Sequence, residues 1–147
     1  MVTLRRFNDT DAVALRAFRN TDMSVPEIQD MIREWNTLTC QGKYFEMLAI
    51  LHEGELVGSV SLYQLSESVV SIGPEIFPAF QRHGFGKAAM RMAMEIAQRK
   101  GYRIVAQQVR KDNAASAAMH QSLGFETDGY CYQNKRDKEV LIYLKAL

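Results

Sequence analysis

The run Arg82-His83-Gly84-Phe85-Gly86-Lys87 holds the chemistry that is easiest to name. It feeds into a helical pattern, with Ala89, Met92, Ala93 and Ile96 recurring on one face and Gly101 as the stop. A helix start carries partial positive charge and several unpaired N–H groups, so acidic residues normally gather there. This one has no Asp or Glu in its first turn, only Lys87, with Arg82 and His83 just before it. Cations at that end are unfavourable unless an anion fills the site. Gly84 and Gly86 let a ligand reach the backbone without meeting a Cβ. The stretch from Arg82 to Ala88 reads as a cradle for a phosphate or pyrophosphate.

Two familiar phosphate loops do not fit. A P-loop needs G-x-x-x-x-G-K-[ST], but the glycines stand two apart and Ala88 follows Lys87. A dinucleotide fingerprint needs a third glycine, where Ala89 stands, and an acidic residue about 20 positions on, whereas Glu95 comes too early. Gln81-Arg82-His83-Gly84-Phe85-Gly86 instead resembles the Q/R-x-x-G-x-G/A signature of the GNAT superfamily, the acyl-CoA-dependent N-acetyltransferases. The flanks extend the resemblance. Upstream, Ser71-Ile72-Gly73-Pro74-Glu75-Ile76-Phe77-Pro78 is similar to that family's central strand. Downstream, Val109 leads through Asn113 and an alanine-rich helix to Leu123-Gly124-Phe125, similar to its second block. The resemblance spans the chain from Leu4-Arg5-Arg6-Phe7 to the last strand.

The resemblance implies an acetyl-CoA cosubstrate entering between two parallel strands that splay apart. Backbone groups near Ile76 and Phe77 would pair with its pantetheine arm, and the Arg82–Ala88 loop (Arg82, His83, Gly84, Phe85, Gly86, Lys87, Ala88) would hold the pyrophosphate. Asn113, with Ser116 one turn on, would contact the same arm, and Asn113 also suits a helix N-cap. Gly73-Pro74 in mid-strand predicts a bulge that opens the sheet, or a limit to an edge strand.

Acetyl transfer to an amine needs a neutral amine, yet an alkylamine with a pKa near 10 is only about 0.1% neutral at pH 7. It also needs a donor for the developing oxyanion and a proton for the leaving thiolate. Glu75 is the candidate base, acting through water; its other reading is an exposed salt-bridge partner. A second acid often lies on the family's fifth strand, but the aligned position here is Gln108. Seven residues after the motif Asn the family usually carries a proton-donating Tyr, and this chain has His120. Histidine can donate in its place, or sit as a hydrogen-bonded helix residue. Tyr63, Tyr130 and Tyr132 are the alternative donors. His120 and Gln108 also sustain a rival reading, a non-catalytic acyl-CoA sensor. Acceptor choice is expected from the first two helices and the last hairpin, where Glu27, Asp30 and Glu34 share one helical face.

The elements that must position these residues follow from periodicity and punctuation. Strands are expected at Thr3–Phe7, Tyr44–Leu51, Leu56–Leu65, Val69–Phe77, Arg103–Val109, Phe125–Gln133 and Glu139–Leu144. Helices are expected over Asp9–Asn20, with Val13, Ala14, Ala17 and Phe18 inward, after the Ser24-Val25-Pro26-Glu27 capping box, after the glycine loop, and over Asn113–Leu123. This is an α/β (α+β) chain with one mixed, mostly antiparallel sheet and helices on both faces, strands four and five being the splayed pair. Its 147 residues suit a single domain, residues 1–147. A net charge of +1 gives no general attraction to nucleic acid or membrane. Cys40 and Cys131 have no metal spacing and are expected reduced and buried, and no metal site is expected. No signal peptide or membrane span is visible, which predicts a cytoplasmic protein. The expected partner is a small-molecule or peptide amine, with monomer and homodimer both open.

Overall fold

A computed structural model describes residues 1–147. The strands are β1 (Val2–Arg6), β2 (Thr39–Cys40), β3 (Lys43–His52), β4 (Glu55–Gln64), β5 (Val69–Ile76), β6 (Ile104–Arg110), β7 (Glu126–Thr127), β8 (Tyr132–Gln133) and β9 (Glu139–Ala146). The helices are α1 (Ala12–Phe18), α2 (Val25–Trp35), α3 (Phe85–Arg99) and α4 (Ala114–Ser122). Their sheet order is β1-β3-β4-β5-β6-β9-β7, with β2 on β3 and β8 on β9. All pairs are antiparallel except β5–β6. The β3–β4 hairpin turns at Glu53-Gly54, both at positive φ, the geometry that matches strand twist in a tight turn.

Each sheet face has its own core. On one face, Ile50, Val60, Leu62, Val70 and Ile72 pack against Ala89, Met90, Ala93 and Ala97 of α3. Three alanines spaced by four let that helix sit close to the strands. On the other face, Phe7, Ala49 and Phe77 pack against Leu15 of α1 and Ile28 and Ile32 of α2. The capping box at Ser24 and Glu27 forms as its spacing predicts, each residue bonding the other's backbone N–H.

The structure departs from the sequence expectations at several points. The first helix starts at Ala12, because a 3-10 turn capped by Asn8 and Asp11 takes its first residues. Its most buried residues are therefore Ala12 and Leu15; of the expected face, Ala14 and Phe18 do reach the core, while Val13 is 68% exposed and Ala17 is exposed. Both cysteines are exposed, since neither stands on an inward strand position. The last hairpin has only two-residue strands before β9, because Asp128 ties down the turn between them through Tyr130 and Tyr132. Gly73-Pro74 makes no bulge: β5 pairs with β4 in unbroken register from Val70–Gln64 to Ile76–Gly58. The irregularity lies instead between Ile50 and Leu51 on β3. No helix is long and apolar enough to cross a membrane.

Candidate active site

The parallel β5–β6 ladder lasts only two pairs, Val69–Ile104 and Val70–Val105. Beyond it β6 follows β9 and leaves β5. Phe77 N–H bonds Val57 and Leu65 N–H bonds Val69, so odd-numbered β5 residues spend their backbone groups on β4. The even-numbered residues Ile72, Pro74 and Ile76 face the gap. Pro74 thus sits where its missing N–H costs no ladder bond. The opening comes from the departing strand, and the proline only trims the edge it leaves.

The gap becomes a cleft of about 530 Å³ between β5, β6, the start of α3 and α4. No carboxylate lines it, and Arg82 is its only lining cation. At its mouth, no backbone N–H from Arg82 to Lys87 finds a protein acceptor, and Gly84 at the N-cap has no side chain to cap the helix. Ala88 N–H already bonds Gly84 C=O, so the cradle ends at Lys87. Gly84 adopts φ +78°, and a Cβ on Gly86 would lie 3.5 Å from Ile76 Cγ1 and 4.0 Å from Met119 Sδ. Gln81 Nε2 donates to Ile76 C=O at 3.1 Å and ties the loop to the end of β5.

At the cleft floor one side chain does the work of a strand. Gln107 Oε1 accepts from Ile72 N–H at 2.8 Å and from Ser71 Oγ at 3.0 Å. Its Nε2 donates to Ile72 C=O and, at 3.3 Å, faces His120 Nε2. All four hydrogen-bonding positions of the carboxamide are in use. His120 is 4% exposed. Its Nδ1 lies 2.7 Å from Ser116 C=O and must carry a proton to bond there. Its Nε2 then accepts from Gln107. Burial pulls the His120 pKa below the usual histidine value, partly offset by the Ser116 carbonyl. The ring is neutral at physiological pH, with its one proton committed to the backbone.

Of the residues singled out by sequence, Gly73, Pro74, Ile76, Gln81, Arg82, Gly86, Gln108, Asn113, Ser116 and His120 line this cleft. Asn113 Oδ1 caps α4 through Ser116 N–H at 3.0 Å, and its Nδ2 donates to no protein group. Gly84, Phe85 and Lys87 lie at the mouth outside the cleft lining, with their backbone N–H groups unpaired. Phe77 turns away into the other core, stacked on Phe18 at 5.3 Å, and its N–H is spent on Val57. His83 lies against Phe85 at 5.4 Å, which also meets His52 at 4.6 Å. Glu75 is on the opposite face of β5, 51% exposed and bonded to Arg19 Nε at 2.9 Å. Arg19 in turn lies over Trp35, 5.7 Å from the ring centre. Tyr63 shares that face, edge-on to Phe45. Tyr132 bonds Asp128, and Tyr130 is exposed. Gln107 escaped the sequence reading. The signal was present: Val105-x-Gln107-x-Val109 puts an amide at an inward position of a buried strand.

The family model for acetyltransferases of the GNAT family matches residues 12–125. No curated protein matches the sequence. Solved structures share the fold. Mycobacterium smegmatis RimJ, in complex with CoA-disulfide, has TM-score 0.85 and 18% identity, over 99% of this chain and 81% of that one. The spermidine/spermine N-acetyltransferase SpeG from Vibrio cholerae has TM-score 0.78 and 15% identity, over 99% and 95%. The ribosomal-protein-alanine N-acetyltransferase from Brucella melitensis has TM-score 0.75 and 20% identity, over 99% of both chains. With the family model covering most of its length, and a split sheet with a glycine-rich helix start as its fold, this chain belongs to the GNAT acetyltransferase family.

Proposed function

We propose that the chain takes the acetyl group of acetyl-CoA and passes it to an amine by direct attack in a ternary complex, with no covalent enzyme intermediate. The observation that carries this reading is the row of unpaired amides from Arg82 to Lys87 beside a cleft without carboxylates. Such a helix start is a ready anion site, and the glycines keep Cβ atoms out of it. The cleft edge fits the rest of the cosubstrate. Pro74 C=O and Ile76 N–H lie on the gap side of β5 with no ladder partner, suited to an amide-bearing arm. Asn113 Nδ2 is a further free donor.

Acetyl-CoA supplies an acetyl group activated as a thioester. The protein's part is to hold and orient it and to manage protons. Glu75 lies on the opposite face of β5, the face of α1 and α2 where an acceptor would enter. It serves as base through solvent, with Arg19 fixing its carboxylate. His120 was the candidate acid, but its Nδ1 proton is bound to Ser116 and its Nε2 accepts from Gln107. Those bonds support a neutral, orienting role. The family spans acceptors as different as a ribosomal protein and spermidine; all present an amine.

The test is titration calorimetry with CoA, followed by thiol release from acetyl-CoA in the presence of peptides with free N-termini, polyamines and amino acids. Saturable CoA binding and amine-dependent release are expected. Absence of CoA binding overturns the proposal. Binding with no transfer to any amine would favour the sensor reading.

A further inference from the structure

We propose that Gln107 is a positioning residue of the acetyl-transfer site: its carboxamide stands in for a β6 peptide group on Ile72, sets the width of the gap between β5 and β6, and fixes the orientation of the His120 ring. Its kinetic consequence rests on the acetyl-CoA reading above; its structural half does not.

Without Gln107, the backbone of Ile72 would be left unpaired on its gap side. Ile72 is the first gap-facing β5 residue beyond the two ladder pairs. Its N–H and C=O are buried in the core, and unpaired groups there are costly. A longer ladder would satisfy them by drawing β6 in and closing the cleft. Gln107 satisfies both from a side chain, so β6 can stay away. The glutamine stem then acts as a spacer. A carboxylate cannot replace the amide, because it has no donor for Ile72 C=O. An aliphatic residue satisfies neither group.

The second contact gives the spacer a reach into the cleft wall. The Gln107 N–H that remains points at His120 Nε2, which must be bare to receive it. The partner bond from Nδ1 to Ser116 C=O selects the same tautomer. The groups around the ring are Phe125 at 4.9 Å and Tyr143 at 5.7 Å, with Ser116 Oγ at 3.4 Å from Nδ1. None of them is a charged side chain that could hold an imidazolium. Gln107 therefore links three elements of the cleft: β5 through Ile72 and Ser71, β6 through its own backbone, and α4 through His120.

The experiment compares wild type, Gln107→Leu and Gln107→Glu by three readouts. The first is the ¹⁵N signature of the His120 ring in the free protein, the second is exchange of the Ile72 amide, and the third is kcat and KM for acetyl-CoA and for the amine. In wild type, Nδ1 should be protonated and Nε2 bare, and the Ile72 amide should exchange slowly. Gln107→Leu should free the ring, speed Ile72 exchange and lower kcat/KM for acetyl-CoA by roughly 10- to 100-fold, as misplacement of a bound reactant does. KM for the amine should hold. Gln107→Glu should draw a second proton onto the His120 ring at neutral pH, a change that lost packing alone would not cause. A folded Gln107→Leu protein with unchanged Ile72 exchange and unchanged kcat/KM overturns the proposal. If Gln107→Leu does not fold, an unchanged ring and unchanged kinetics in Gln107→Glu overturn it instead. If wild type binds no CoA, the functional reading has failed, while the ring and exchange measurements still decide whether Gln107 holds the gap.

Discussion

The two faces of β5 are built by different means. On the gap face, Pro74 and Ile76 offer backbone groups, and across from them α3 offers backbone amides and a glycine. On the opposite face, Glu75 meets Arg19, the residue that follows α1, and Arg19 lies over Trp35 from α2. One face is main chain, set by strand direction and helix geometry. The other is side chains borrowed from helices that a modest change of sequence could redesign. A ligand shared by a whole family suits the first construction. An acceptor that differs between members suits the second.

The two faces are not independent if a side chain on one alters the function assigned to the other. The largest effect is expected from Gly86→Asp. It adds a Cβ against Ile76 and Met119 and a negative charge among the unpaired amides. CoA affinity should fall about 10³-fold, the scale of losing two charge-assisted hydrogen bonds, while circular dichroism stays native. Calorimetry showing wild-type affinity would remove the cradle from the gap face.

A smaller effect should follow from Glu75→Gln. The amide cannot take a proton, so kcat with a saturating amine should fall roughly 10²-fold, at the low end for a general base. CoA affinity should not move. A drop in CoA affinity would show that the two faces are not separate.

The smallest effect concerns stability. The folded-state pKa of His120 is lowered, chiefly by burial, so the unfolded chain binds the extra proton more readily. The stability this contributes is fully present above the unfolded value near 6.5 and is lost progressively as pH falls below it. Urea midpoints between pH 7 and pH 5 should drop less steeply in His120→Phe than in wild type. Parallel slopes would mean that His120 is not held neutral.

Legibility in the sequence divides along the same line. The helix start at Gly84 was readable because missing acidic residues and paired glycines are local signals, and the structure leaves its amides unpaired. Strands β3, β4 and β5 were readable from alternation and from the Glu53-Gly54 turn. The α1 face was legible only in part: Ala14 and Phe18 reach the core, but Asn8 and Asp11 spend the first turn as a 3-10 cap, and Ala12 and Leu15 rather than Val13 and Ala17 are the buried pair. The supposed bulge at Pro74 was a correct residue with a wrong cause. Which neighbour a strand lacks is a tertiary fact, and the local sequence records only the proline that tolerates it. Gln107 was overlooked for a similar reason. Its partners, Ile72 and His120, lie 35 and 13 residues away, and only the fold brings them together.

Pro74 carries a consequence for the protein in a crowded solution. A strand edge that stays open for life is an invitation to any other extended chain, and edge-to-edge pairing is how soluble sheets begin to aggregate. Here the invitation is cut short. Gln107 occupies both groups of Ile72, Pro74 has no hydrogen to give, and Gln81 holds the carbonyl of Ile76. What is left open is one acceptor and one donor in succession, enough to catch a single amide and too few to seed a second strand. The same three residues that frame a binding edge thus keep it from becoming a sticky one.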